Sequence, residues 1–174
     1  MDVKSNKYCL DSNVLIQAWQ KYYSPNICPD YWDILNSFGK QDKVFIPAQV
    51  FEEITRTEDN LTDWLKTSHI PVRRINQQVT KCLQEIYATD ENHKYLVDNV
   101  KGRSLADPWV IAHAIFENAT VVTKEEKITA LNKKKNKIKI PDVCDNMKVR
   151  CINDFKLIDE LGIRFSCSVL IDKK

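Results

Sequence analysis

The sequence predicts an α/β fold: a three-layer α/β/α sandwich with a central, mainly parallel sheet. Three observations predict it. Short apolar runs of strand character, "KYCLD", "KVFI", "ATVVT" and "MKVRCI", recur along the chain with helical patterns between them. A length of 174 residues suits one domain with one core, here residues 1–174. Hydrophobic residues at 43% and charged residues at 29% form an ordinary globular balance that excludes wholesale disorder.

"KYCLD" reads as a short buried strand ending at Asp11, followed by a helical "SNVLIQAWQKYY" that Ser24, Pro25 and Pro29 interrupt. "DYWDILNSFG" resumes as a helix from Asp30, closed by Gly39 near its C-cap. "KVFI" is the next strand, and Pro47 opens the helix "AQVFEEITR". A short helix follows from Leu61 to Lys66, then "IPVRRI" as a brief extended segment. A long helix starts at about Asn76 and runs into the high 80s, resuming from Asp90 to Val100. Gly102 breaks that region before the helix that begins at Asp107. "ATVVT" is a β-branched strand, "MKVRCI" another, Asn153 the N-cap of "DFKLIDEL" and Gly162 its stop. "IRFSCSVLI" alternates weakly and reads as an edge strand or a tail.

Several function classes drop out early. The apolar runs fall far short of the roughly 18 residues a membrane span needs. "MDVKSNKYCLD" has no apolar core of a signal peptide, so a cytoplasmic protein with no membrane partner is expected. With no export signal the six cysteines read as reduced thiols, not a disulfide framework, and no C-x-x-C pair points to zinc. His69, His93 and His113 are not spaced like zinc ligands. The net charge of +2 identifies no partner, but "NKKKNKIKI" sets Lys133, Lys134, Lys135, Lys137 and Lys139 within seven residues. That run is either a solvated loop or a phosphate-contacting patch.

The acids carry the functional signal. Asp11 lies at the carboxyl end of the first strand, Glu52 and Glu53 on the helix after the second, and Asp107 at the head of the helix leading to "ATVVT". Glu125 and Glu126 follow that strand directly. Ligands of open α/β sheets bind beyond the carboxyl ends of the strands, so four segments can deliver carboxylates to one edge. Carboxylates gathered together repel each other unless cations neutralise them, and oxygen donors suit Mg2+ or Mn2+. The plain alternative is capping: Asp11 and Asp107 both precede helices, and Asp107-Pro108 fits an N-cap followed by a first helical proline. Helix geometry chooses within one pair. Val50, Phe51 and Ile54 define an apolar stripe, with Glu53 about 110° and Glu52 about 150° from its centre, so Glu53 sits nearer the buried margin.

The stretches "YCLDSNVLI", "VFIPAQVFEEI", "LADPWVIAHAI" and "ATVVTKEEK" together resemble the PIN domain, a nuclease fold found in single-domain prokaryotic toxins and RNA-processing factors. They span roughly residues 7 to 127, and "IPDVCDNMKVRCIND" resembles the family's closing loop and strand. The resemblance implies a Mg2+- or Mn2+-dependent endoribonuclease. Asp11 matches the first acid, Glu53 the second, Asp107 the third and Glu125 the fourth, where Asp is more usual and Glu126 is a rival. Ser12, Asn13 and Thr123 match polar positions that orient the ligating carboxylates. Asp142 and Asp145 fall in the closing loop, where some relatives carry further acids. The implied partners are an RNA substrate, an antitoxin protein and a second copy of the chain. Arg73, Arg74, Arg103 and the lysines at 133, 134 and 135 are candidates for the substrate backbone or plain solubility charges. Two rivals stay open: a non-catalytic RNA- or partner-binding module of the same fold, and, more distantly, a receiver-type signalling domain. The second normally has adjacent acids after its first strand, whereas "CLDSN" offers one.

Overall fold

Strand β1 (Tyr8–Leu10) is buried at every position and pairs in parallel with β2 (Val44–Pro47) on one side and β4 (Thr120–Val122) on the other. The computed structural model describes residues 7–97, 105–129 and 137–166. The two remaining strands, β3 (Val72–Arg73) and β5 (Cys151–Ile152), form the edges, giving the parallel order β3-β2-β1-β4-β5. Strands covered on both faces read as unbroken apolar runs, which is why "YCL", "VFIP" and "TVV" carry no polar alternation. The α/β/α sandwich is the fold that the strand–helix alternation predicts.

Helix α1 (Ser12–Gln17) leaves β1 at once and continues as a π-helical turn, Ala18–Tyr22. The sequence pattern showed one helix there, and widened turns of this kind are invisible to a 3.6-residue period. Helix α2 (Pro29–Lys40) includes Gly39 in its last turn instead of ending on it. A Cβ at that position would lie 2.8 Å from Ile70 Cα, so the glycine lets the 69–70 backbone pass close by. Helices α3 (Ala48–Thr55) and α4 (Asn60–Thr67) follow β2, with Asp59 capping α4 through Thr62 N–H. Helix α5 (Gln77–Thr89) is capped by Asn76 and stops at Asp90, which caps a 3-10 turn at Glu91–Leu96. The predicted helical resumption from Asp90 is therefore a tighter turn, and its end at Val100 lies outside the described residues.

Helix α6 (Asp107–Glu117) packs over β1, β2 and β4. The helix is apolar on two sides, Val110, Ile111, Ala114 and Ile115 on one and Trp109, Ala112 and Phe116 on the other, and Val110, Ile111, Ala112, His113 and Ala114 are all buried, the mark of a central helix. It ends at Asn118 in the left-handed conformation, φ 50°. The "closing loop" contains a helix, α7 (Ile140–Asn146), and only then β5 and α8 (Asp154–Glu160), capped by Asn153 as expected. Ile163 to Ser166 form no strand, and the rest of "IRFSCSVLI" lies outside the described residues. Among the described residues no helix is long and apolar enough to cross a membrane.

Candidate active site

The strand order changes direction between β1 and β4, the switch point where open α/β sheets place their ligands. Leu10 pairs with Val122 there, so Asp11 and Thr123 leave adjacent strands side by side. Asp11 takes the N-cap position of α1 with extended backbone, yet its carboxylate makes no capping bond to that helix. Instead Thr123 Oγ1 donates to Asp11 Oδ2 at 2.8 Å, and Ser12 Oγ lies 3.4 Å from Oδ1. Thr123 is held in turn: its hydroxyl accepts from Asn13 Nδ2 at 3.2 Å and from Glu125 N–H at 3.1 Å. One donated and two accepted bonds exhaust what a hydroxyl can make. Asn13 Oδ1 also accepts from Lys124 N–H at 2.9 Å, binding the two segments from the other direction. Capping thus fails as an account of Asp11.

Burial pushes the Asp11 carboxyl up to about 7, opposed by the Thr123 hydroxyl and reinforced by the charges of Glu125 and Glu53. Glu53 and Glu125 therefore lie near enough for their charges to reach the Asp11 carboxyl. Glu53 is half-buried and Glu52 exposed. Glu53 Oε2 is buried without a hydrogen-bond partner, and so is Oε1 of Gln49, one turn earlier on α3. The Glu53 oxygen without a donor, near a carboxyl resisting ionisation, forms an environment that a cation would relieve. Gln49 escaped the sequence reading, although its i, i+4 spacing to Glu53 was the available signal.

Asp107 reaches the same edge by topology. Cys9 Sγ bonds the Val110 carbonyl at 3.5 Å, fixing α6 against β1. From that contact Asp107 lies about one helical turn toward the start of α6, and Asp11 two residues toward the end of β1; the two directions coincide, because a crossover helix runs opposite to its strands. Asp107 is 8% exposed and occupies the first helical position, with Ala106 as N-cap and Pro108 second. The predicted cap is thus displaced by one residue, because the Ala106 carbonyl already accepts from Trp109 and Val110 N–H.

Glu125 is half-buried, and its Oε2 accepts from Ile140 N–H at 2.9 Å, securing the start of α7; Glu126 is exposed. Asp142 uses both oxygens structurally, on Ile128 and Lys139 N–H, and Asp145 pairs with Lys127 at the surface. Arg73, a candidate for the substrate backbone, points away from the acids into Asp42 and Glu117, with Lys7 completing the network before β1. Arg103, Lys133, Lys134 and Lys135 lie outside the described residues. One cation beside the acids went unnoticed: Lys124 Nζ pairs with buried Asp154 Oδ2 at 2.7 Å.

The cysteines among the described residues are free thiols, and burial raises the Cys9 thiol well above its ordinary range. No group of three His, Cys, Asp or Glu side chains among the described residues forms a ready metal cage. Mg2+ does not require one, because it retains several waters and uses one or two carboxylates.

No curated protein matches the chain. Among solved structures, a chain of the "Crystal structure of VapBC2 from Rickettsia felis bound to a DNA fragment from their promoter" aligns over 84% of this chain and 97% of its own. The TM-score is 0.54 at 18% identity, so the likeness is one of fold, and that fold is PIN-like. Residues 8–165 match one family along nearly the whole chain. The chain belongs to the family described as "Domain of unknown function (DUF4411)".

Proposed function

We propose that this chain is a metal-dependent endoribonuclease that hydrolyses RNA phosphodiester bonds, and that it acts as the toxin of a toxin–antitoxin pair. The observation that supports it most is the carboxyl of Asp11, buried at the sheet's switch point, held by Thr123 and raised to about 7 by burial together with Glu125 and Glu53. Burying the Asp11 carboxyl within reach of the charges of Glu53 and Glu125 costs stability, which a site built only for stability would avoid. The residues fit a hydrated Mg2+ or Mn2+: Asp11, Glu53, Asp107 and Glu125 would hold it, with the orphaned Glu53 Oε2 as one donor oxygen. When bound, such an ion supplies Lewis acidity, which acidifies water and offsets charge on a phosphate.

The chain's own residues do the positioning. Thr123 directs one Asp11 oxygen by its hydrogen bond, and Asn13 keeps Thr123 in that rotamer. Glu125 is anchored through one oxygen on α7, which leaves the other for the site. No cysteine or histidine serves as nucleophile in this reading. The toxin setting, an antitoxin partner, a homodimer and a cytoplasmic location draw on the resemblance to single-domain toxins and on the fold shared with a VapBC2 chain. The strand order differs from the 2-1-3-4-5 order of receiver domains, which removes that alternative.

The test is cleavage by purified protein. RNA should be cut with Mn2+ or Mg2+, cutting should stop with EDTA, and a folded Asp107→Asn protein should be inactive. Cleavage retained by that variant refutes the role of Asp107. If neither metal yields cleavage of any RNA, the chain is a binding module.

A further inference from the structure

Lys124 is the first residue beyond the ladder between β4 and β5. Thr123 N–H still reaches the Ile152 carbonyl at 3.0 Å, and the chain then bends at Lys124 before Glu125. Past Thr123 the sheet no longer fixes the backbone, although Glu125 is one of the acids. Two amide bonds hold it there: Lys124 N–H to Asn13 Oδ1 at 2.9 Å and Glu125 N–H to Thr123 Oγ1 at 3.1 Å. The Lys124 side chain is a third hold. Val122 and Ile152 are register partners, so Lys124 and Asp154 each stand two residues further on. Nζ donates to Asp154 Oδ2 at 2.7 Å, and the two side chains are 9% and 3% exposed. It also lies 4.3 Å from the Tyr22 ring centre and 5.0 Å from that of Phe155.

A lysine beside carboxylates can grip a phosphate or fix its own backbone, and the geometry favours the second use. Nζ is already engaged by one carboxylate and two ring faces. Asp154 Oδ1 has no hydrogen-bond partner, so turning Lys124 toward a phosphate would strip a buried carboxylate of the bond to its other oxygen. Stability alone does not call for this pair, because apolar replacement of both partners in a buried ion pair is often neutral or stabilising. What the pair and its rings add is direction: the stem between Nζ and the bend is held at both ends. The bend in turn presents the Glu125 N–H to Thr123, whose hydroxyl serves Asp11.

We propose that Lys124 and Asp154 are positioning residues: the caged ion pair locks the 123–125 bend, and through it sets the Thr123 hydroxyl and Glu125 for Asp11. Its catalytic consequence rests on the nuclease reading, whereas its structural consequence does not. The test is amide hydrogen exchange of the full chain in EDTA, joined to RNA-cleavage kinetics with Mn2+. Lys124→Met/Asp154→Leu removes both buried charges together and should stay folded. Exchange at the Lys124 and Glu125 amides should speed up about tenfold or more, while Val121 N–H, bonded to the Arg150 carbonyl inside the sheet, keeps its protection. For cleavage, kcat should fall about tenfold with KM unchanged. Asp154→Asn keeps an acceptor for Nζ, should fall between parent and double variant in both readouts, and carries the test if the double variant does not fold. Lys127→Met removes a charge whose partner is the surface carboxylate of Asp145, and should match the parent throughout. Parental exchange at both amides in the double variant and in Asp154→Asn overturns the lock. A raised KM at unchanged kcat also overturns it, by assigning Lys124 to the substrate. Metal-dependent cleavage that persists after such a failure leaves the nuclease reading intact. A parent that cuts no RNA sinks that reading, and the exchange result still decides the lock.

Discussion

Thr123 Oγ1 and Asp11 Oδ2, 112 positions apart in the chain, are joined by a 2.8 Å hydrogen bond across the β1–β4 seam. The bond is local in space because Leu10 and Val122 are register partners, so the next residues on both strands emerge together. It is also directional: with Asn13 and Glu125 N–H filling the hydroxyl's acceptor sites, its proton has only Asp11 to serve.

Thr123→Val should therefore do more than delete one bond. The isosteric methyl leaves Asn13 Nδ2 and Glu125 N–H without their acceptor and Asp11 without its donor. At about 1 kcal/mol or more for each stranded buried group, a loss of about 2–3 kcal/mol is expected in urea unfolding. Thr123→Ser keeps the hydroxyl and should recover most of both stability and RNA cleavage. Equal behaviour of the Val and Ser variants contradicts the directional role.

Asp11 makes a pH prediction whose sign is fixed. Its folded pKa of about 7 exceeds the ordinary 3.8, so the folded state binds the proton more tightly. This contribution to stability is complete below the ordinary pKa and is lost as pH rises through about 7. The shift corresponds to at most about 4 kcal/mol. Asp11→Asn in EDTA should thus gain stability relative to the parent as pH rises from about 4 to 7, read as a difference in Tm. Mg2+ or Mn2+ should raise the parent's Tm at pH 7.5 and leave that of Asp11→Asn nearly unchanged. A constant difference across the range removes the raised carboxyl from the account.

The fold was legible because its signals are periodic. Apolar runs of three or four residues announced β1, β2 and β4, and the two apolar sides of α6 announced a central helix. Helix α7 was lost because Pro141 and two acids interrupt its pattern, and Asp142 resembles a free acid until its two backbone N–H partners are seen. The site was legible where one residue type at a strand end has a restricted set of uses, as with Asp11. Lys124 with Asp154, or Tyr22 with Phe155, share no spacing rule, since only folding brings such distant positions together.

The two glutamate pairs offer a controlled comparison. Glu53 and Glu125 are half-buried toward Asp11, whereas Glu52 and Glu126 face solvent. Glu53→Gln and Glu125→Gln should each lower kcat for RNA cleavage by about tenfold or more, as loss of a charged group near a reacting phosphate does. Glu52→Gln and Glu126→Gln should leave it unchanged. Glu125→Gln preserves an acceptor for Ile140 N–H, so its defect should appear in kcat without a matching fall in Tm. A reversed order within either pair overturns that assignment.

Arg73 tests whether a cation near the sheet is structural. Its guanidinium joins Asp42 and Glu117, and Lys7 bonds the same two carboxylates from the far side. Glu117 is the most protected member at 13% side-chain exposure, and its carboxyl is lowered by Arg73 and Lys7 against the opposing effect of burial. Arg73→Met should cost about 1–2 kcal/mol of stability, discounted for the exposed Asp42. Affinity for single-stranded RNA should not move. An affinity loss without destabilisation would return Arg73 to the substrate.

His113 supplies the opposite pH slope from Asp11. It is 1% exposed on α6, both ring nitrogens lack partners, and burial lowers its pKa from 6.5 to about 4. A histidine buried neutral binds its proton less tightly than in the unfolded chain, so stability is present above 6.5 and lost as pH falls toward 4. The shift sets an upper bound of about 3 kcal/mol. His113→Met fills similar volume, removes two stranded nitrogens and should stabilise the protein by about 1 kcal/mol at pH 7. That advantage should widen between pH 6.5 and 4, where the parent's His113 and Asp11 slopes oppose each other and its own curve is flattened. The double variant Asp11→Asn/His113→Met should lose both slopes. Chemical denaturation at half-unit pH steps separates the two contributions, and an advantage for His113→Met that stays constant with pH means the imidazole is not the acid-sensitive group.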